Sequence, residues 1–276
     1  PQPTSAIPVT SYSLLVTIAM KNTPPPTPLL LKVGGNEIDD NAFLAEFVAV
    51  VAELHRRGPL VIVHGGGKEI GALHQRMGVG FEVIEGLRVT PYESLQLVKM
   101  VLGGLVNNRI TRWLVNAGVP AMGVSGVDAG LVRVEALRPG GQDIGFVGRL
   151  VSVQVDVLER WLAAGFLPVI SPVSLGVDGH SYNVNADQVA SGIAAAAGAR
   201  RLIFVSNVPG ILIDGKLAPA LTVDEIAQHI ASGQISGGMI PKARAAVAAI
   251  ADGVTETLIT NLAGLAAGGG TVVSGQ

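Results

Sequence analysis

Three polar residues crowd the start of a helix in the second half of the chain. Asn183, Asn185 and Asp187 lie just before and inside the first turn of an alanine-rich helix predicted over residues 186–197. The first N–H groups of a helix lack intrahelical partners, so free backbone donors stand beside amide and carboxylate side chains here. Such a site suits an anionic ligand, or lysines that a carboxylate holds in place. Asn and Asp are also ordinary helix caps, so this pattern alone leaves both interpretations open.

A lysine interrupts the first apolar run of the globular part of the chain. Residues 29–35 read Leu-Leu-Leu-Lys-Val-Gly-Gly, which predicts a buried strand containing Lys32. A buried ammonium group is costly unless an anion accompanies it, and Gly34 and Gly35 allow the backbone to approach a ligand closely. The alternative is that Lys32 extends to solvent at the end of the strand.

Three glycines connect the next predicted strand to a helix. The strand covers residues 60–64 and ends at His64, Gly65 to Gly67 follow, and a helix is predicted over residues 68–77. A glycine turn between a strand and a helix N-terminus is a natural cradle for an anion. Its spacing differs from the dinucleotide-binding and P-loop fingerprints. We expect His64 to orient the turn rather than to act as a base.

Two further cations stand beside turns. Arg88 follows Gly86 and precedes a long helix predicted from Tyr92 to about Ala117. Its planar guanidinium suits a carboxylate, although a single arginine is also often solvated surface. Lys242 follows paired glycines at the start of a helix predicted over residues 242–251. Glycines followed by a lysine at a helix start suit a phosphate-rich ligand.

The elements that must position these residues alternate between strand and helix, which predicts an α/β fold. Hydrophobic residues make up 49% of the 276 residues and aromatic residues only 4%, and 36 glycines supply tight turns. The loop at residues 176–180 is the predicted domain boundary. The remaining predictions are helices at 41–57, 156–164 and 223–232, strands at 119–124, 166–172, 202–205 and 256–260, and hairpins within 131–155.

Composition excludes several functional classes. The net charge of −2 gives no basic surface for nucleic acid, and no apolar run reaches the ~20 residues that a membrane-spanning helix needs. The absence of cysteine excludes disulfides and thiol chemistry and fits a cytoplasmic location. Residues 1–28 hold seven of the sixteen prolines around an apolar piece from Ser13 to Met20, and we interpret them as an irregular arm.

Six motifs occur in the sequence in a fixed order. They are Leu31-Lys-Val-Gly-Gly35, His64-Gly-Gly-Gly67, Gly86-Leu-Arg-Val-Thr90, Asn183-Val-Asn-Ala-Asp187, Ser206-Asn-Val-Pro-Gly210 and Gly238-Met-Ile-Pro-Lys242. Each motif alone is weak evidence, whereas six collinear motifs are specific. In their order and approximate spacing, the chain resembles the amino acid kinase family over about residues 29–276.

The resemblance implies a three-layer αβα sandwich with a central, mainly parallel sheet and two lobes. Residues 29–177 would form the acceptor and dimerisation lobe, and residues 178–276 the ATP-binding lobe, after the arm at 1–28. The implied reaction transfers the γ-phosphoryl group of MgATP to the side-chain carboxylate of N-acetyl-L-glutamate, a step of arginine biosynthesis. Such an acceptor is already ionised at neutral pH, so positioning and charge neutralisation carry the chemistry and no general base is needed.

The resemblance also implies a role for each matching residue. Lys32 and Lys242 would neutralise the transferring phosphoryl group from the acceptor side and the ATP side, and Asp187 would orient both lysines. Magnesium would be held mainly by the ATP phosphates, without a dedicated protein site. The remaining roles are phosphoryl binding by Gly34, Gly35 and Gly66, acceptor binding by Gly66, Gly67, Arg88 and Asn183, and nucleotide binding by Asn207, Val208, Gly210, Ile211 and Leu212.

Two alternative functions stay open at this point. A related kinase of lysine biosynthesis phosphorylates aminoadipate on a carrier protein with the same lysines and glycine turns, and a non-catalytic sensor could share the fold. The motifs around Arg88 and Asn183 favour free acetylglutamate, and no concentrated basic run offers a carrier protein a docking surface. Arginine-inhibited members of the family have an N-terminal amphipathic helix that links dimers into a hexamer. The proline-rich arm shows no such helical stripe beyond Ser13 to Met20, so the resemblance implies an arginine-insensitive homodimer joined through helices of the first lobe, as in the family's dimers.

Overall fold

The computed structural model of the chain describes residues 27–34, 38–84 and 86–275. The predictions made for residues 1–26, including the apolar piece from Ser13 to Met20, lie outside the described residues, as does the phosphoryl-binding role of Gly35.

A mainly parallel sheet forms the centre of the molecule. Its strands follow the order β13-β15-β14-β10-β1-β2-β8-β6-β7, and β5 and β9 also pair with β8. The pairs β14–β15, β6–β7 and β8–β9 are antiparallel. Two small hairpins, β3–β4 and β11–β12, stand apart from the sheet. The strands are β1 Leu29–Val33, β2 Leu60–His64, β3 Val83–Ile84, β4 Leu87–Arg88, β5 Ala121–Gly126, β6 Val132–Ala136, β7 Gly148–Val153, β8 Leu167–Gly176, β9 Ser181–Asn183, β10 Arg201–Val205, β11 Leu212–Ile213, β12 Lys216–Leu217, β13 Ala220–Thr222, β14 Glu256–Thr260 and β15 Thr271–Ser274.

Helices cover both faces of this sheet. One face packs against α1, α2, α3, α4 and α9, and the other against α5, α6, α7 and α8. The three layers predicted from the sequence are therefore confirmed. The helices are α1 Asn41–Arg57, α2 Gly67–Met77, α3 Tyr92–Lys99, α4 Asn107–Asn116, α5 Val155–Ala163, α6 Ala186–Ala196, α7 Val223–Ala231, α8 Met239–Ala251 and α9 Leu262–Ala267.

Alternation along β1 decides where its lysine points. Leu29, Leu31 and Val33 belong to the core on the α1 side, whereas Leu30 belongs to the core on the α6 side. Successive side chains of a strand point to opposite faces, so Lys32 shares the α6 face with Leu30. The lysine therefore emerges from the strand on the side where α6 begins.

Several element boundaries differ from those predicted. The helix predicted from Tyr92 to about Ala117 is interrupted by a π-helical segment, Met100–Val106, that joins α3 to α4. Helix α8 starts at Met239 rather than at residue 242, because the glycines end at Gly238 and the helix begins there. Strand β8 extends to Gly176, since it gains partners in β6 and β9 beyond its predicted end.

The proposed boundary between the lobes falls in the turn between β8 and β9. The sheet continues across this turn, because β8 and β9 pair with each other. In the described residues, no helix is both long and apolar enough to cross a bilayer.

Candidate active site

The carboxyl ends of three parallel strands meet at one edge of the sheet. Lys32 in β1 pairs in register with Val63 in β2 and with Phe204 in β10, so the three strands end together. The loops that follow these strands surround a cavity of about 510 Å³. In open α/β sheets, ligands bind in crevices at this position. Its walls include Lys32, Gly34, Gly65, Gly66, Gly67, Arg88, Asn183, Asp187, Asn207 and Lys242.

An ion pair spans the floor of the cavity. The Lys32 ammonium lies 2.9 Å from Asp187 Oδ1, and only 18% of the lysine side chain is exposed. Asp187 is placed there by the start of α6, where the Asn185 side chain caps the helix by accepting from the Asp187 N–H at 2.7 Å. The strand therefore tolerates Lys32 because a helix-borne carboxylate accompanies it. The structure does not support the alternative prediction, in which Lys32 extends to solvent at the end of the strand.

The glycine turn after β2 is held close to the end of β1. The Gly65 N–H donates to the Val33 carbonyl at 3.0 Å, and α2 begins two residues later. A Cβ on Gly66 would lie 2.7 Å from the Leu102 side chain, so only glycine fits without displacing the π-helical segment. The early N–H groups of α2 lack intrahelical acceptors, and Gly66 and Gly67 line the cavity, an arrangement that suits an anion.

Arg88 presents an unsatisfied cation to the cavity. Its Nη1 is buried and has no hydrogen-bond partner in the part of the chain that the structure describes. Burial lowers the pKa of the guanidinium, which nevertheless stays charged at neutral pH. The guanidinium carbon lies 3.7 Å from the centre of the Phe81 ring, a cation–π contact that limits its orientation. A half-buried guanidinium without an ion pair in the described residues fits a ligand carboxylate.

Asn183 and Arg88 are connected through Thr90. The Asn183 amide donates to Thr90 Oγ1 at 3.3 Å, and the Thr90 hydroxyl donates to the Arg88 carbonyl at 2.7 Å. Thr90 is fully buried. Two predicted acceptor-binding residues from distant parts of the sequence are thus held in one hydrogen-bonded unit.

Lys242 stands at the other end of the cavity. Its ammonium donates to Asn207 Oδ1 at 3.4 Å, and a smaller adjoining cavity of about 230 Å³ shares Lys32, Gly34, Asp187 and Lys242 with the first. The expected contact of Asp187 with both lysines is present only for Lys32 in the described residues. Lys242 comes from the fourth position of α8, which places it beside Asn207 rather than beside the carboxylate.

The predicted nucleotide segment divides into exposed and buried residues. Asn207 lines the cavity, and Leu212 is 41% exposed. Ile211 is fully buried in the core, and its N–H donates to Thr271 Oγ1 at 2.8 Å. Gly210 has φ 153°, and a Cβ there would lie 2.6 Å from Thr271 Oγ1. Val208, which follows Asn207 in the sequence, is half-buried. The buried residues hold the shape of this segment, while Asn207 faces the ligand space.

His64 is fully buried below the glycine turn. Its Nδ1 lies 2.9 Å from the Gly65 carbonyl and its Nε2 lies 3.1 Å from the Asn107 amide nitrogen. Burial lowers the pKa of His64 to about 4, so the ring is neutral at pH 7. A neutral ring hydrogen-bonded on both sides has no free nitrogen for a substrate. The expectation that His64 orients the turn agrees with this geometry.

The buried imidazole predicts a pH dependence of stability. An unfolded histidine takes up its proton near pH 6.5, whereas folded His64 does so only near 4. Between these values the unfolded state binds more protons. The contribution of His64 to the free energy of unfolding is therefore complete above pH 6.5 and is lost as the pH falls towards 4, by up to about 1.4 kcal/mol per pH unit.

Denaturant titrations of the wild type and His64→Gln between pH 7 and 5 check this expectation. The variant should show the shallower dependence of unfolding free energy on pH. Burial also lowers the pKa of His55, so this residue adds the same, smaller dependence of unfolding free energy on pH to both proteins. Equal slopes in wild type and variant would contradict the assignment.

Several residues of the site were not identified from the sequence. Phe81, Thr90, Leu102 and Asn107 act through contacts between segments far apart in the chain, which periodicity does not reveal. Asn107 carried one signal: it is an amide on an apolar helical stretch, away from any cap position.

The assembled site has the parts for transfer of an anionic group between two anions. Its cavity is lined by a guanidinium without an ion pair in the described residues, by a lysine bonded to an asparagine, and by an ion-paired lysine beside a glycine turn. Preorganised cations and backbone N–H groups of this kind stabilise the transition state of phosphoryl transfer. Among the described residues, no three His, Asp or Glu side chains converge on a metal position.

This fold and this site define a phosphotransferase class, and the chain belongs to the amino acid kinase family, whose profile matches residues 28–261. An acetylglutamate kinase from Chloroflexus aggregans is 52% identical over 241 residues, which cover 87% of this chain and 94% of that protein. An acetylglutamate kinase from Geobacillus thermodenitrificans is 43% identical over 243 residues, covering 88% and 91%. The crystal structure of smu.665 from Streptococcus mutans superimposes with a TM-score of 0.78 at 29% identity, covering 90% and 99%.

Proposed function

We propose that the chain catalyses ATP-dependent phosphorylation of the side-chain carboxylate of N-acetyl-L-glutamate, as an acetylglutamate kinase of arginine biosynthesis. The observation that carries the proposal is one cavity lined by the Lys32–Asp187 pair, by Arg88, which has no ion pair in the described residues, and by the Lys242–Asn207 pair. Relatives of 52% and 43% identity over nearly the whole chain, both named acetylglutamate kinase, support the choice of acceptor.

The reaction requires no proton transfer. A carboxylate oxygen of the acceptor forms a bond to the γ-phosphorus, and the bond from that phosphorus to the oxygen bridging to the β-phosphate breaks, which releases ADP. Negative charge then builds up on the bridging oxygen. Lys242 neutralises the transferring phosphoryl group from the ATP side, and Lys32 neutralises it from the acceptor side. The N–H groups of Gly34 and Gly66 bind the phosphoryl oxygens, and the same role is proposed for Gly35, which lies outside the described residues.

The acceptor is held at the other end of the cavity. Arg88 pairs its free N–H groups with the acceptor carboxylate that does not react, and Asn183 together with the backbone of Gly66 and Gly67 fixes the rest of the molecule. The ATP side is lined by Asn207, with Val208, Gly210, Ile211 and Leu212 shaping the wall. A magnesium ion would be held by the nucleotide phosphates and would neutralise their oxygens, because the described residues offer no carboxylate cluster for it.

We further propose a cytoplasmic homodimer. Met100 and Leu105 in the π-helical segment and Val115 in α4 are 62%, 53% and 52% exposed. Contiguous exposed apolar residues mark interaction sites, and we propose that these three contribute to one. They belong to the proposed acceptor lobe at residues 29–177.

The oligomer predicts a specific change in mass. Light scattering should give the mass of two chains for the wild type, and Leu105→Glu should shift the protein to one chain because a charge would be buried in the interface. Leu212→Glu, at an exposed leucine on the hairpin β11–β12, is the matched control and should remain a dimer. A wild-type protein of one chain would refute the homodimer.

The proposed activity is tested by trapping its product. The purified protein is incubated with MgATP, hydroxylamine and either N-acetyl-L-glutamate or another free acid, and the hydroxamate formed from the acyl phosphate is measured with and without arginine. Hydroxamate with acetylglutamate alone supports the proposal, and an unchanged rate with arginine supports an arginine-insensitive enzyme. No hydroxamate with any free acid would refute the proposal and point to a carrier-linked acceptor or a non-catalytic sensor.

A further inference from the structure

A buried amide lies beneath the acceptor side of the cavity and contacts three separate strands. Asn107 Nδ2 is 2.8 Å from the Val169 carbonyl in β8, 3.2 Å from the Val124 carbonyl in β5 and 3.1 Å from His64 Nε2 in β2. Only 4% of Asn107 is exposed. It is therefore a buried polar residue whose hydrogen bonds are internal to the protein.

The chemistry of these contacts determines the direction of every hydrogen bond. Carbonyl oxygens only accept, so Asn107 must turn its NH₂ group, and not its oxygen, towards Val169 and Val124. The same NH₂ group lies 3.1 Å from His64 Nε2, so its two hydrogens are shared among three acceptors, and Nε2 accepts only when it is unprotonated. The proton of the neutral ring then sits on Nδ1, where it is donated to the Gly65 carbonyl at 2.9 Å.

The π-helical segment places Asn107 and contacts the same turn. Asn107 follows directly after Met100–Val106, and Leu102 and Val106 are the side chains that a Cβ on Gly66 would meet at 2.7 and 3.3 Å. The extra residue in a π-helical turn changes the angular position of all that follows, and such turns are frequent at functional sites. One helical irregularity thus packs two side chains against Gly66 and presents the amide to His64.

We infer that Asn107 and His64 are positioning residues for catalysis: the amide holds the imidazole, the imidazole holds the Gly65 carbonyl, and the N–H groups of Gly66 and Gly67 are thereby aimed into the cavity. The inference rests on the proposed function, since it gives the turn its task of orienting the acceptor and the phosphoryl group. Neither side chain touches the ligand. The low pKa of His64 supports the arrangement, because the accepting Nε2 stays unprotonated at neutral pH.

Two substitutions at His64 separate the two contacts. His64→Asn places an amide N–H near the former Nδ1 and keeps the donation to Gly65, but it is too short to reach Asn107. His64→Gln places an amide oxygen near the former Nε2 and keeps the contact with Asn107, but it loses the donation to Gly65. Asn107→Leu removes the donor and preserves the volume.

Thr111→Val is the matched control for Asn107→Leu. Thr111 lies one helical turn further along α4, and its buried hydroxyl has no hydrogen-bond partner in the described part of the chain. Both side chains approach Gly123, where a Cβ would meet Asn107 Oδ1 at 2.2 Å and Thr111 Oγ1 at 2.7 Å. The control removes a polar atom of the same region without contacting His64.

The test compares kcat, the acceptor KM and the ATP dissociation constant, each corrected for the folded fraction from circular dichroism. We expect His64→Gln and Asn107→Leu to lower kcat/KM for N-acetyl-L-glutamate by about 30- to 100-fold, as for a catalytic group displaced by about 1 Å. ATP affinity should stay within about threefold. His64→Asn and Asn107→Leu both lose the contact between residues 64 and 107, so their kcat/KM values should be similar, and Thr111→Val should match the wild type.

Contrary results would overturn the inference. Folded Asn107→Leu with wild-type kcat/KM would do so, as would equal losses in Asn107→Leu and Thr111→Val, or a loss fully explained by the folded fraction. Long-range ¹H–¹⁵N spectra of wild-type protein give a readout that does not depend on activity. They should show the Nδ1–H tautomer of His64, and the Nε2–H tautomer would refute the network. An inactive wild type with the Nδ1–H tautomer would refute only the proposed function.

Discussion

Lys32→Ala is expected to lower kcat by at least about 100-fold and to leave the ATP dissociation constant within a few-fold of the wild-type value. The ammonium of Lys32 lies on the cavity floor next to the glycine turns, where charge develops during phosphoryl transfer. Loss of one preorganised donor to such a charge costs about 10²- to 10³-fold in rate. Its removal also leaves the Asp187 carboxylate, 2.9 Å away, unneutralised beside the phosphates.

The comparison between two lysines separates this effect from general damage. Lys68→Ala removes an exposed lysine that pairs with Asp39 on the protein surface and does not line the cavity, so its kcat should be unchanged. The double variant Lys32→Ala, Asp187→Asn should be no slower than Lys32→Ala alone, because the carboxylate then loses the charge that repels phosphate. Single-turnover kinetics and nucleotide titration measure both quantities. A Lys32→Ala enzyme with near-normal turnover would remove Lys32 from the mechanism.

Much of this geometry followed from local patterns in the sequence. Helix α1 and strand β2 have their predicted bounds, because apolar spacing and the stop at Gly58-Pro59 are local signals. The placement of Lys32 within a buried strand also predicted an anionic companion. Alternation along β1 turns Lys32 towards the α6 face, and the packing of the start of α6 on that face brings Asp187 to it.

The rest of the site depends on packing between distant segments. No local pattern marks the π-helical turn at Met100–Val106, because it changes only where later side chains point. The contact of Phe81 with Arg88 and the link from Asn183 through Thr90 join segments whose proximity depends on the whole sheet. Lys242 was expected beside Asp187, but the earlier start of α8 carries it towards Asn207.

Arg88→Ala is expected to raise the KM for N-acetyl-L-glutamate by about 10- to 100-fold while kcat at saturating acceptor changes little. A charge-assisted hydrogen bond of about 1.5 to 3 kcal/mol is lost from ground state and transition state alike, and each 1.4 kcal/mol corresponds to a tenfold change. The guanidinium is prepared for this contact, since its buried Nη1 has no partner in the described residues. Steady-state kinetics in the hydroxamate assay, with acceptor and ATP varied in turn, measure the effect.

Two further variants test why an arginine stands at this position. Arg88→Lys keeps the charge but loses the planar fork and its stacking 3.7 Å from the centre of the Phe81 ring, so its acceptor KM should fall between those of the wild type and Arg88→Ala. Phe81→Leu should raise the same KM by only a few-fold, because it frees the orientation of the guanidinium without removing its charge. Arg76→Ala, an exposed arginine of α2 away from the cavity, should have no effect. An acceptor KM in Arg88→Ala equal to that of Arg76→Ala would place the acceptor elsewhere in the cavity.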